Sequence, residues 1–318
     1  MKLEISDKDF IQLWNELRSP IKMSKAIGIT TRNVYLRRRN IEKKYNISLS
    51  IEGNQAGRFQ SVGGTYSNRL NLGIRNGTVL VFSDAHFWPG LRTTAFRGLL
   101  WAISELQPSA IVNNGDAFDG ASISRHPRIM WQQMPSAAEE IQACQDALGE
   151  IEKLAKPNCR LIWALGNHDA RFESRLANGT PEFEKVAGFK LRDHFPKWEP
   201  TWSVWLNDAV VVKHRFKGGI HATHNNTVTS GKSMVTGHLH SLKVTPFSDY
   251  GGTRFGVDTG TLADPEGPQF RDYTEDNPLN WRSGFAVLTF KDGELLWPEL
   301  AHRFRDNVLE FRGKLIDV

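Results

Sequence analysis

The sequence predicts an α/β protein, two packed mixed β-sheets flanked by helices, preceded by a small all-α N-terminal domain. Three observations carry this expectation. Short apolar, β-branched runs at residues 78–83, 110–114, 160–165 and 209–213 alternate with helical periodicity at 93–106 and 136–154. The first three runs lead straight into polar residues, as in α/β sheets whose strand carboxyl ends carry the chemistry. From residue 233 the chain turns β-rich, with runs at 233–236, 242–246, 255–258, 285–290 and 295–300 and a hairpin turn at Asp292-Gly293.

The all-α part comes first. Phe10, Ile11, Leu13, Trp14 and Leu17 recur at helical spacing, and Ser19-Pro20 opens a second short helix through Ile27. Gly28 makes a tight turn, Ile29 enters the core, and Thr30 or Thr31 caps a third helix. That helix carries Val34, Leu36 and Ile41 among Arg32, Arg37, Arg38, Arg39, Lys43 and Lys44. The pattern over 23–35 resembles a DNA-binding helix-turn-helix. The resemblance implies that Thr31, Arg32, Asn33 and Tyr35 lie near bases, with Arg37, Arg38 and Arg39 near phosphates.

Charge agrees with this division. The chain has 318 residues and a net charge of +5, yet residues 1–75 hold fourteen Lys/Arg against six Asp/Glu. A basic module on a slightly acidic body suggests a polyanionic partner, DNA, although a solvated basic face has the same composition. Gly, Ser and Asn then dominate, so the domains read as 1–48, a linker or strap at 49–76, and a catalytic body at 77–318. No run of apolar residues is long enough to span a membrane, and the first ten residues do not form a leader. Cys144 and Cys159 are the only cysteines and lack zinc spacing, which favours a reducing cytoplasm.

Five motifs follow in order: Asp84-Ala85-His86, Gly115-Asp116, Gly166-Asn167-His168-Asp169, His214, and Gly237-His238-Leu239-His240. They supply carboxylate, amide and imidazole ligands, the set a two-metal hydrolytic centre needs. The series resembles the calcineurin-like metallophosphoesterase superfamily, on its nuclease and phosphodiesterase side. The resemblance implies one cation on Asp84, His86 and His240 and a second on Asn167, His214 and His238, with Asp116 bridging them. If extended, Asp84 and His86 point the same way, and the glycines let ligands at strand ends turn toward the cations. Mn²⁺ is favoured, with Fe, Zn, Ni and Mg also compatible.

His168 resembles the family's general acid, with Asp169 orienting or charging it. His214 ends an apolar run, as the family ligand does. Its usual Gly neighbour is here Arg215, which leaves His221 and His224 open as substitutes. His224 is also a candidate phosphate contact.

The protein-phosphatase run Gly-Asp-x-Val-Asp-Arg-Gly is absent: Gly120 follows Asp119, and Arg171 is the candidate replacement for the arginine that grips a phosphomonoester. Two insertions are expected to shape the substrate groove: 122–134, with Arg125, His126, Arg128 and Trp131, and 264–282, with Phe270, Arg271, Tyr273 and Trp281. The expected activity is therefore a dinuclear phosphodiesterase or nuclease on DNA. The alternatives are a phosphatase or phosphodiesterase for nucleotides or phosphoproteins, and a DNA-binding regulator with a relict metal fold. The architecture is similar to phosphoesterases of bacterial viruses, which would place the protein in the host cytoplasm. Oligomeric state is not legible.

Overall fold

The computed structural model describes residues 5–17, 19–45, 47, 49, 66–124, 126, 129, 131–277 and 279–318, the side chain of Tyr273 excepted. The chain separates into two compact units, one holding the N-terminal helices and the other everything from Tyr66 onward.

In the first unit, α1 (Asp7–Leu17), α2 (Pro20–Ile27) and α3 (Thr31–Tyr45) close over Phe10, Trp14, Met23, Ile27, Val34, Ile41 and Leu49. The Ser19 side chain accepts from the Lys22 N–H, and Pro20 occupies the first turn, where no donor is needed. Gly28 ends α2 at φ 68°, a left-handed conformation cheap only for glycine. Each fully buried Trp or Phe here contributes about 1.5–3 kcal/mol. Leu36, expected on the apolar face, is half exposed.

Among the described residues of the second unit, the elements in order are β1 (Leu70–Leu72), β2 (Gly77–Phe82), α4 (Thr94–Leu106), β3 (Ala110–Asn113), α5 (Ala137–Leu154), β4 (Arg160–Ala164), α6 (Asp169–Gly179), β5 (Glu199–Thr201), β6 (Val204–Leu206), β7 (Val210–Val212), α7 (Ala222–Ser230), β8 (Ser233–Thr236), β9 (Lys243–Asp249), β10 (Gly252–Asp258), α8 (Arg271–Thr274), β11 (Gly284–Lys291), β12 (Glu294–Leu295), β13 (Glu299–Arg305), β14 (Val308–Phe311) and β15 (Lys314–Asp317). One mixed sheet runs β15-β14-β13-β11-β2-β3-β4-β5, with β12 on β11. The other runs β1-β6-β7-β8-β10-β9.

Period-two alternation builds the sandwich. Val79, Val81, Val112, Ile162 and Leu288 face the second sheet's Val204, Val212, Val235 and Val257. Leu80, Phe82, Ile111 and Trp163 face the other way, into a core shared with α4 and α5. The catalytic body starts before residue 77. β1, inside the segment read as linker, pairs in parallel with β6, and Leu70 and Ile74 are buried. The run at 295–300 also divides into β12 and β13 around Pro298, which has no N–H for the ladder. No helix among the described residues is long and apolar enough to cross a membrane.

Candidate metal centre

Strands β2, β3 and β4 run parallel, as do β7 and β8, and each reaches the same end of the sandwich just before a motif. Beyond β2, the Asp84 N–H donates to Gly115 O at 2.8 Å and the His86 N–H to Asp116 O at 3.0 Å, so the two ligand loops travel together. Asp84 and His86 are not extended. Their φ values are 51° and 39°, and Asp116, His238 and His240 are left-handed too, at 55°, 72° and 56°. Side chains meet in the centre because the backbone coils at each position, a conformation costing on the order of 1–2 kcal/mol per non-glycine residue.

Gly166 and Gly237 serve by leaving space, not by turning. A Cβ on Gly166 would stand 2.0 Å from Asp116 Oδ1, and one on Gly237 2.6 Å from Asp84 Oδ2. Gly115, at φ 92°, does turn as expected.

The ligand atoms of Asp84, His86 and His240 lie within 4.8 Å of one another, and so do those of Asp116, His214 and His238. Asp116 also groups in this way with His86 and His168, which puts it between the two sets. Asp84 Oδ1 is 3.0 Å from His240 Nε2. Asp116 Oδ2 is 2.9 Å from His214 Nε2, yet the latter makes no hydrogen bond. Neighbouring donors at about 2.1 Å from one ion stand roughly 3 Å apart, so this spacing fits shared cations.

Unpaired atoms give the same result. Asn167 Oδ1 and His214 Nε2 are buried without hydrogen-bond partners. Six of the seven predicted ligands therefore come together as a donor set that fits two divalent ions, and the seventh, Asn167, has a buried Oδ1 without a partner.

The second layer of contacts fixes the rings. His214 Nδ1 donates to Asn114 O at 2.8 Å, leaving Nε2 facing Asp116. His86 Nδ1 and His168 Nδ1 both lie 2.8 Å from Asp119 Oδ1. Burial alone would raise the Asp84 and Asp116 carboxyls, but the charges of His240 and His214 on the first, and of His214 and His168 on the second, hold both low. Burial would lower His214, yet Asp116 and Asp84 drive it up to about 10. Burial and the His214 charge lower His238. The carboxylates that favour a proton on His214 would equally favour divalent ions in its place.

Asp169 does something other than orient His168. Fully enclosed, it accepts the N–H groups of Asp116 at 2.8 Å, Ala117 at 3.1 Å, Phe118 at 3.2 Å and Gly166 at 2.8 Å, and Trp163 Nε1 at 2.9 Å. It ties the loops after β3 and β4 together. The carboxylate on His168 is Asp119, a role the sequence reading missed, although Asp119 lies three residues after a predicted ligand. Burial lowers His168, but Asp116 and Asp119 more than restore it and the net shift is upward. Arg171 stands beside this ring, with Nη1 donating to Asp119 O at 2.9 Å and Nη2 lying 3.1 Å from His168 Nε2.

His224 lies away from the centre. It sits on α7 with its ring 5.5 Å from Phe247, and His221 precedes α7. Among the described residues neither joins a ligand group. Arg125, Arg128 and the Tyr273 side chain lie outside what is described.

The insertion 264–282 walls one flank: Phe270 lies 5.1 Å from the His86 ring, and Trp281 4.4 Å from His240. The opposite flank opens into a cleft of about 790 Å³ bounded by Asn167, His214, Arg171, Arg175, Trp202 and Arg215. The insertion 122–134 reaches this cleft through Ile123 and His126, as expected, but the sequence reading missed Arg175, Trp202 and Lys213. The signal was the Arg171, Ser174, Arg175, Asn178 spacing, one face of a helix.

In the N-terminal unit Thr31 opens α3, and Arg32, Asn33, Tyr35 and Arg39 are exposed. Arg37 is engaged by Ile5 O, Asp7 and the Phe10 ring, and Arg38 by Glu42 and the Trp14 ring. Those two arginines hold the helices together instead of standing free for phosphates.

Comparison with known proteins agrees with this geometry. The family model for calcineurin-like phosphoesterases matches residues 77–259, more than half of the chain, and the chain belongs to that family. It is accordingly a metal-dependent phosphoester hydrolase. It is similar to the Gene 54 protein of Mycobacterium phage L5, 25% identical over 249 residues, covering 70% of this chain and 92% of that protein. Among solved structures it is similar to a zinc complex of Vps29 from Entamoeba histolytica, with 13% identity, a TM-score of 0.39, and coverage of 76% of this chain and 98% of that one. A protein serine/threonine phosphatase from Saccharomyces cerevisiae gives 11% identity, a TM-score of 0.35, and coverage of 74% and 84%.

Proposed function

We propose that the protein hydrolyses phosphodiester bonds of DNA at a two-metal centre, with Mn²⁺ as the preferred ion. The observation that carries this reading is the meeting of six donors from four loops, with the buried, unpartnered Asn167 Oδ1 supplied by a fifth. Cations held by Asp84, His86, Asp116 and His240, and by Asp116, Asn167, His214 and His238, would supply Lewis-acid charge and water acidified toward neutrality. His168, with Nδ1 held by Asp119, can pass a proton from Nε2 to the leaving oxygen once Arg171, whose Nη2 points at that nitrogen from 3.1 Å, has turned to the phosphate. Arg171 stands next to that nitrogen and meets a phosphate oxygen.

At Gly120, where protein phosphatases carry an arginine, a Cβ would stand 2.9 Å from Phe118 Cε1 and 3.3 Å from Arg171 Cβ and Cδ, so Arg171 takes that place. Support for DNA comes from α3, where Arg32, Arg39 and Lys43 fall on one exposed stripe beside Tyr35.

The test is a panel of plasmid, single-stranded DNA, bis-p-nitrophenyl phosphate and p-nitrophenyl phosphate with Mn²⁺. Cleavage of DNA and the diester is expected; brisk monoester turnover with intact DNA would overturn the reading. For α3, the double variant Arg32→Ala/Arg39→Ala is expected to flatten the salt dependence of plasmid binding by a slope of roughly 2. An unchanged slope would remove DNA as that helix's partner.

A further inference from the structure

Three cations crowd the open flank of the centre without a carboxylate. Arg175 projects from the exposed face of α6, and Lys213 and Arg215 bracket the ligand His214 beyond β7. Among the described residues none of the three forms an ion pair, whereas Arg303, on the opposite flank, is held by both Asp264 and Asp306. Lys213 is half-buried, with its Nζ 5.4 Å from the Phe216 ring centroid. Like charges gathered in this way repel unless an anion sits between them. Across the cleft Trp202 leaves 42% of its surface exposed, although it lies between the buried Thr201 at the end of β5 and the buried Val204 at the start of β6. Ser174, one helical turn after Arg171, leaves a gap on the cleft side of α6.

We infer that this cleft is a track for one nucleic-acid strand flanking the scissile phosphate, with Arg175, Lys213 and Arg215 on successive phosphates and a base stacked on Trp202. The inference rests on the reading of the centre as a diester hydrolase and adds which side the strand takes and what form it has. An exposed indole needs an unpaired base face, which a continuous duplex does not offer, so the occupant is a single strand or a frayed end. His214 lines both the cleft and the metal centre, and Asn167 lines the cleft beside it, so a strand in the cleft arrives directly at the second cation's ligands. Arg215 takes the place where the family resemblance leads one to expect glycine, and here it adds a charge to the track.

The test is direct binding of a fluorescent oligothymidylate of about eight nucleotides to the full chain in EDTA, where no turnover occurs. Arg175→Ala/Arg215→Ala is expected to weaken binding at least about tenfold and to lower the log–log salt slope by about 1.4. Trp202→Ala is expected to cost roughly tenfold with oligothymidylate and nothing with an abasic strand of equal length. A blunt duplex of the same length is expected to bind more weakly than the single strand. Variants that bind as the parent does, or equal loss on the abasic strand, would overturn the track even if the protein cleaves DNA. Groove-dependent binding with no hydrolysis in Mn²⁺ would instead sink the hydrolase reading and leave the track standing.

Discussion

The two flanks of the metal centre are built on opposite principles. On the flank of residues 264–282, the rings of Phe270 and Trp281 stand 5.1 Å apart against His86 and His240, and the nearby Arg303 is saturated by two aspartates. On the α6 flank, Arg175, Lys213 and Arg215 face a cleft with no counter-charge. A paired charge beside an aromatic wall is architecture, since its interactions are complete within the chain. Gathered unpaired charges are a requirement for something outside it. The contrast separates residues that hold ligands in place from residues that hold substrate, although all lie beside the same ions.

The comparison can be broken first at His168, which borders the open flank. His168→Ala is expected to lower kcat by about 10²–10⁴ with Mn²⁺ bound, most for diesters with poor leaving groups. Kinetics over a series of substituted phenyl esters checks this, and an equal loss across the series would remove the acid role.

The closed flank gives a smaller and different effect. Trp281→Ala opens the wall at His240 and is expected to weaken affinity for the first cation by about 10-fold or somewhat more, with little change in oligonucleotide binding. Metal titration and anisotropy together check it; loss of strand binding alone would mean that the flanks had been assigned the wrong way round.

The effect furthest from substrate, on stability and its pH dependence, belongs to Glu140, enclosed on α5, which accepts the N–H groups of Gly120 and Ala121 and so braces the loop carrying Asp119. Burial first, then the Asp119 charge, pushes its pKa up to about 7 from 4.5. The folded state thus binds this proton more tightly than the unfolded chain does. The stabilisation is complete below pH 4.5 and fades as the pH rises through 7. Relative to Glu140→Gln, the parent is expected to lose about 2–3 kcal/mol of stability between pH 5 and 8, followed by thermal melting. A constant difference across that range would show that Glu140 does not titrate there.

How much of this was readable from the chain differs by kind of feature. Strands β2, β3 and β4 announce themselves because both faces are buried, which makes a dense apolar run, and the ligands are chemically distinctive residues at their ends. Helix α7, with the sequence ATHNNTVTS, has no apolar stripe and was not legible, nor were the short strands β5 and β6. Partnerships were the least visible. Asp119 meets His168 across 49 residues and Asp169 meets Asp116 across 53, so adjacency in sequence wrongly suggested Asp169 as the partner of His168. The same bias drew attention to inserted loops and away from α6, whose cationic face shows only when its residues are read three and four apart.

The left-handed turns at Asp84, His86, Asp116, His238 and His240 have a consequence for metal choice. Hydrogen-bonded loops anchored on two sheets impose those turns, and Asp169 clamps two of the loops from behind, so the donors are set before an ion arrives. Such a centre is a mould and not a clasp. Such a mould is expected to discriminate among ions by how well each fills a shape already cast.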